Sequence, residues 1–274
     1  MITIKNLSFS YEKNKIFDNF NLHIPEGQAC LITGINGVGK STLLRLMAGV
    51  LNPDKGGIVF NPKLGRKPKQ KIGFISDRLS LYDSLTVAEG INLHMSAFNS
   101  PNFDDTLIKH TKIQYSSKIK SLSIGQRTIY HLSLVLSAAP EILLIDEIIH
   151  SIDAYLRKYF IEQLIRLLSE RRLTVIMVNV NFHDIEHMVD RIILLKSGRI
   201  AVDEKIEALK EKVKRVVSSS RPEGFPILSQ EGHSDRPDYF IYPFLDEYRS
   251  QIQGEVEDLN LTEIVTAFIG GEYA

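Results

Sequence analysis

The chain has 274 residues, with 33 basic and 33 acidic side chains and a formal net charge of zero. That balance gives no overall attraction to nucleic acid or anionic lipid, so no nucleic acid partner is expected. An apolar share of 43% is enough for a sizeable core in one large or two modest domains. No apolar run exceeds four residues, far short of the roughly 18 that cross a bilayer. The opening Met1-Ile2-Thr3-Ile4-Lys5-Asn6 lacks the apolar stretch of a signal peptide, and none is expected. The single cysteine, Cys30, sits in Ala29-Cys30-Leu31-Ile32 and reads as a buried, reduced thiol of a cytosolic protein.

Ile2 and Ile4, then Leu7, Phe9 and Tyr11, recur with a period of two, as half-buried antiparallel strands do. Pro25-Glu26-Gly27 reads as a turn, and residues 29–33 as a short, wholly apolar strand of the buried type. A glycine-rich segment, residues 34–39, leads into a helix carrying Leu43, Leu44, Leu46 and Met47. Pro53 is expected to end that helix and Gly56-Gly57 to turn the chain back. Five basic residues then fall close together: Lys63, Arg66, Lys67, Lys69 and Lys71. A solvated loop is the common outcome of such a run, and a phosphate-contacting patch is the alternative.

Residues 72–75 form another expected strand, and 85–98 and 107–113 expected helices. Residues 121–139 read as a long amphipathic helix, with serines at its start and Pro140 after its end. A strand at 142–145 closes on Asp146-Glu147, followed by a helix over about 154–169 and a strand at 173–179. A helix near 183–189 and a hairpin turning at Ser197-Gly198 come next. Alternating strands and helices around apolar strands indicate a mostly parallel sheet covered on both faces. Beyond Asp203 the character shifts to one charged helix, Ser218-Ser219-Ser220, Pro222, a polar loop and short aromatic runs, read as an appended C-terminal element.

Gly34-Ile35-Asn36-Gly37-Val38-Gly39-Lys40-Ser41-Thr42 matches the P-loop pattern G-x-x-x-x-G-K-[ST], with a strand before it and a helix after it. Glycines let the backbone curl so that successive N–H groups face a β-phosphate, and the helix N-terminus adds partial positive charge. Lys40 places a point charge on the β- and γ-phosphates, and the Ser41 hydroxyl can ligate Mg²⁺. An apolar strand ending in Asp146 puts a carboxylate beside that loop for Mg²⁺, with Glu147 at the strand tip in reach of the attacking water.

Leu122-Ser123-Ile124-Gly125-Gln126, shortly before that strand, completes a pattern. With the P-loop and Asp146-Glu147 it makes residues 1–202 resemble the nucleotide-binding subunit of an ATP-binding cassette (ABC) ATPase. The resemblance implies an α/β P-loop NTPase fold with a mostly parallel core sheet, an antiparallel β subdomain and a small helical subdomain at about 78–134. Residues 203–274 would form a C-terminal extension, regulatory or dimerising. It further implies ATP with Mg²⁺ and a head-to-tail dimer of two such subunits. There Ser123, Gly125 and Gln126 close on the ATP of the opposite subunit, and the loop His150-Ser151-Ile152-Asp153 touches the partner. Tyr11 would stack on adenine; simple packing is the alternative for that ring. A separate transmembrane permease, met by the helical lobe through Leu81-Tyr82 and Leu85-Thr86-Val87, would place the subunit on the cytoplasmic face of the membrane.

Three departures from that family stand out. Ile124 replaces a glycine in the signature, and Asp77 stands where a glutamine is expected after the strand at 72–75. An ionised aspartate can meet Mg²⁺ or its water but cannot donate a hydrogen bond. Val180 occupies the place of a histidine that reaches the γ-phosphate, with His183 three residues on, so hydrolysis is expected to be slow. Two rival readings follow: a nucleotide-gated binding module with vestigial ATPase activity, and a soluble ABC ATPase outside transport. His183-Asp184-Ile185-Glu186-His187 also fits the zinc-peptidase pattern H-x-x-E-H, but without an apparent third ligand it reads as a solvated helix. The closing Val256-Glu257-Asp258-Leu259-Asn260-Leu261-Thr262-Glu263-Ile264-Val265, with Gly270-Gly271, resembles the C-terminal end of bacterial ABC exporter ATPases. A helix that simply packs on the core is the alternative.

Overall fold

The computed structural model describes residues 1–76, 81–98, 102–146, 153–171, 173–178, 182–218, 220–232 and 237–270. The chain opens with a hairpin of β1 (Ile2–Tyr11) and β2 (Asn14–Ile24), then enters the sheet through β3 (Ala29–Thr33). Helix α1 (Lys40–Ala48) follows, then β4 (Lys55–Phe60), which pairs antiparallel with β1 to give the sheet β2-β1-β4. Gly56 and Gly57 therefore lie inside a strand, not at a turn, with a register shift between the pairs of Lys5 and Ser8. The helix also stops earlier than Pro53. Gly49 takes the left-handed C-cap conformation, and its N–H bonds back to Leu46.

The basic run that follows is mostly committed to the protein's own groups. Lys63 pairs with Glu26, and Lys71 with Glu141 at 3.6 Å. Lys69 lies over Gly49, so its ammonium sits at the negative end of α1. With all five side chains exposed, these contacts favour the solvated loop over a phosphate patch.

Strand β5 (Ile72–Ile75) leads to a helical lobe of α2 (Val87–Ala97), α3 (Thr106–Lys109) and α4 (Ile124–Ser137). Helix α3 is shorter than its sequence pattern because the Thr111 hydroxyl donates to the Ile108 carbonyl and closes the turn. The lobe has its own core, in which Val87, Ile91, Ile108, Ile119, Tyr130 and Leu134 meet. Next come β6 (Ile142–Asp146), α5 (Ala154–Arg171), β7 (Thr174–Val178) and α6 (Phe182–Ile185). The expected helix near 183–189 is a single α-turn followed by a 3-10 turn at Glu186–Met188. Glu186 pairs there with Lys210, and because the α-helix ends at Ile185, H-x-x-E-H does not fall on one α-helical face.

Strands β8 (Arg191–Lys196) and β9 (Arg199–Lys205) complete a six-stranded sheet of order β5-β6-β7-β3-β8-β9, parallel except for β9. Its central strands are buried on both faces, and alternation along them divides two cores. Ala29 and Leu31 face one core with Leu143 and Ile145. Cys30 and Ile32 face the other, against α1 and the antiparallel sheet. Burial pushes the Cys30 thiol up to about 12, which leaves it protonated and inert.

Helix α7 (Ile206–Lys212) connects to β10 (Lys214–Val217), β11 (Ile227–Glu231), β12 (Asp238–Ile241), β13 (Glu255–Asp258) and α8 (Leu261–Gly270). The four strands form an antiparallel sheet of order β11-β12-β10-β13. Helix α8 buries Leu261, Ile264, Val265, Ala267 and Phe268 in the same cluster as Leu143, Ile185 and Leu209. Asn260 and Glu263 cap it reciprocally.

Candidate active site

The loop between β3 and α1 is bent by contacts that only glycine tolerates. Gly34 has φ 141°, and a Cβ there would lie 2.4 Å from the Leu195 carbonyl oxygen of β8. Gly39 has φ 110°, with β2 pressed against it: a Cβ would meet Ile16 Cγ2 at 2.6 Å and Phe17 Cζ at 2.8 Å. Gly37, between them, faces open space, and Asn36 beside it is exposed. Val38 and Thr42 are buried and anchor the loop and the first turn of α1. No side chain caps α1 and no acid stands in its first turn, which leaves its N-terminus suited to an anion.

Lys40 is only 5% exposed, and its ammonium donates to the carbonyls of Gly34 at 2.8 Å and Ile35 at 2.9 Å. The cation is thus held across the mouth of the loop. Ser41 Oγ donates to Asp146 Oδ1 at 2.8 Å. Asp146 is 1% exposed and comes from β6, one strand removed from β3. Register explains the meeting: Asp146 and Ile32 both pair with Val178 of β7, so the end of β6 and the root of the loop are level.

A cleft of about 440 Å³ opens beside the loop, with Asn14, Lys15 and Ile16 of β2 on one wall and Ser197-Gly198 on another. These wall residues carry no motif. Their signal is spatial, because the β1–β2 hairpin and the β8–β9 turn reach the loop only through the sheet order. Tyr11 ends β1 on the same hairpin, is 42% exposed, and meets Phe9 edge to face at 4.9 Å.

Ser123 and Gln126 lie apart from this arrangement, at the start of α4. Ser123 Oγ accepts the Gln126 N–H at 3.2 Å and Gln126 Oε1 accepts the Ser123 N–H at 3.0 Å, a capping box. Gly125 is half-buried and Ile124 is 71% exposed at the tip of that helix. Asp153 caps α5, its carboxylate accepting the Leu156 N–H at 3.0 Å. Asp77, Glu147, Val180 and residues 150–152 lie outside the described residues, as does the His183 side chain.

A glycine-bent loop between a buried parallel strand and an uncapped helix, with its lysine inside and an acid from a nearby strand on its serine, defines a P-loop nucleotide triphosphatase fold. The ABC transporter family pattern matches residues 17–150. The energy-coupling factor transporter ATP-binding protein EcfA1 of Oenococcus oeni is 31% identical over 76% of this chain and 80% of its own length. The ABC transporter ATP-binding protein YtrB of Bacillus subtilis is 27% identical over 99% of both chains. Among solved structures, the dimeric ATP-binding cassette MJ0796 bound to ADP and Pi shares the fold with a TM-score of 0.64 at 24% identity, over 75% of this chain and 99% of that one. The chain belongs to the ATP-binding subunits of ABC transporters, a family of ATPases.

Proposed function

We propose that this subunit binds and hydrolyses Mg·ATP as one half of a head-to-tail dimer and drives a separate membrane permease from the cytoplasmic face. The observation that carries this reading is the Lys40 ammonium seated in the glycine loop beside the Ser41–Asp146 pair. The N–H groups at the start of α1 and the lysine take the β- and γ-phosphates, while the cleft beneath the β1–β2 hairpin takes the rest of the nucleotide, with Tyr11 against adenine. Ser41 and Asp146 offer a hydroxyl and a carboxylate oxygen, the hard donors that suit Mg²⁺, and these two residues would hold it with Asp77. When bound, the ion supplies neutralising charge to the phosphates.

Glu147 then polarises the attacking water, and Ser123, Gly125 and Gln126 of a second copy close on the γ-phosphate. Val180 in place of a histidine and Asp77 in place of a glutamine make turnover slow. Among the described residues no helix is long and apolar enough to cross a membrane, consistent with a permease on another chain. Calorimetry on Lys40→Ala tests the assignment. Loss of its charge-assisted bonds should weaken Mg·ATP binding by about 1.5–3 kcal/mol. Unchanged affinity would remove the P-loop from the mechanism.

A further inference from the structure

Two helices leave the catalytic edge of the core sheet from adjacent strands. β6 ends at Asp146 and β7 at Val178, and these residues are paired across the sheet. The chain re-enters helix at Ala154 after the first strand and at Phe182 after the second. Near the start of each helix stands one half of an ion pair. Arg157 Nη1 donates to Asp184 Oδ2 at 3.0 Å, and each side chain is only 24% exposed.

Both halves are fixed from behind. The Arg157 N–H bonds to the Asp153 carbonyl at 2.9 Å, so the arginine closes the first turn of α5. Helix α6 is a single turn, too short to hold its own position, and its neighbours place it. Ile185 is fully buried with Ile264 and Phe268 of α8, and Glu186 just beyond it pairs with Lys210 of α7. The C-terminal extension thus presses on one side of α6 while Arg157 holds the other.

We propose that Arg157 and Asp184 are positioning residues for ATP hydrolysis, tying the helix that follows β6 to the one that follows β7. This rests on the reading that Glu147, next in sequence after Asp146, polarises the water. Removing one partner of a mostly buried pair costs some stability, and displacement of a reacting group by about 1 Å can in addition cost on the order of 100-fold in rate. Loss of the pair should therefore appear in turnover beyond any loss of stability, and not in ATP binding.

The test uses the full chain with Arg157→Ala, Asp184→Ala and the exchange of charges, Arg157→Asp with Asp184→Arg. Each single variant should lower kcat by about 10- to 100-fold while it remains folded at the assay temperature and the Mg·ATP Kd holds near wild type, and the exchange should recover much of the loss. Single variants at the wild-type rate, an exchange no better than either single change, or equal losses in kcat and affinity would each overturn the proposal. Glu147→Gln is assayed alongside. If it turns over normally, the water-polarising reading fails, whereas the coupling between Arg157 and Asp184 is read from wild-type turnover and is judged separately.

Discussion

At Ser123 the hydroxyl oxygen accepts the Gln126 N–H and so caps α4, which uses one lone pair and leaves the O–H to donate. Capping and contact with a γ-phosphate across a dimer are therefore compatible in one side chain. The two roles separate by mutation. Ser123→Ala removes both, lowering stability in urea unfolding by about 1 kcal/mol and weakening ATP-dependent association. Ser123→Asp keeps an N-cap acceptor but presents a negative charge, so stability should hold while association is lost; association at the wild-type level in Ser123→Asp would remove the serine from the interface. Val180 offers a second residue-scale test. On the proposed reading that this position faces the γ-phosphate, imidazole there can donate a hydrogen bond and valine cannot, so Val180→His should raise kcat several-fold and leave ATP affinity nearly unchanged. Steady-state assays that instead show turnover abolished by His183→Ala and unaltered by Val180→His would assign the role to His183. Residues 34–42 are legible in the sequence because the loop is consecutive and each of its types has a stated task. Lys15 and Ser197 are not, because only the sheet order brings their turns to the cleft.

Among the elements, the helical lobe carries the clearest pH-dependent feature. Burial pushes the imidazole of His131 on α4 down to about 4, with His94 on α2 acting in the same direction. His94 is likewise lowered by burial, its ring against Phe98. The unfolded chain protonates these rings near pH 6.5 and the folded chain does not. The neutral burial of His131 thus contributes stability that is full above about pH 6.5 and is lost as pH falls toward 4. For His131 the loss amounts to about 3 kcal/mol. Unfolding free energies measured from pH 7.5 to 5 should fall in the wild type and fall less steeply in His131→Leu; parallel slopes would contradict the buried neutral ring. Element types were largely readable from the sequence, since β3, β6 and β7 are each a run of four apolar residues with one polar residue at an end. Ends were less so. Gly49 stops α1 before Pro53, and the Thr111 hydroxyl closes α3 early, both through local hydrogen bonds that a hydrophobic pattern does not encode.

On the scale of the whole molecule, the sequence marks a change of character near residue 203 but not where the final segment goes. The apolar face of α8 signals burial, yet its partners on α6 and α7 lie far back in the chain. That return packs the last helix into the same core as Leu143 and Ile145 of β6 and Val175 and Met177 of β7. Assembly is likewise beyond one chain's own contacts: the exposed Ile124 at the tip of α4 and the open face of Gly37 are surfaces that a second copy would cover in the proposed dimer.

Light scattering on Glu147→Gln with Mg·ATP, paired with a turnover assay, tests most directly whether two subunits close on the nucleotide before hydrolysis. The expected result is a dimer that persists with ATP and a loss of turnover of about 10²–10⁴-fold, the share a general base contributes. A monomer that still holds ATP, or hydrolysis at the wild-type rate, would contradict it.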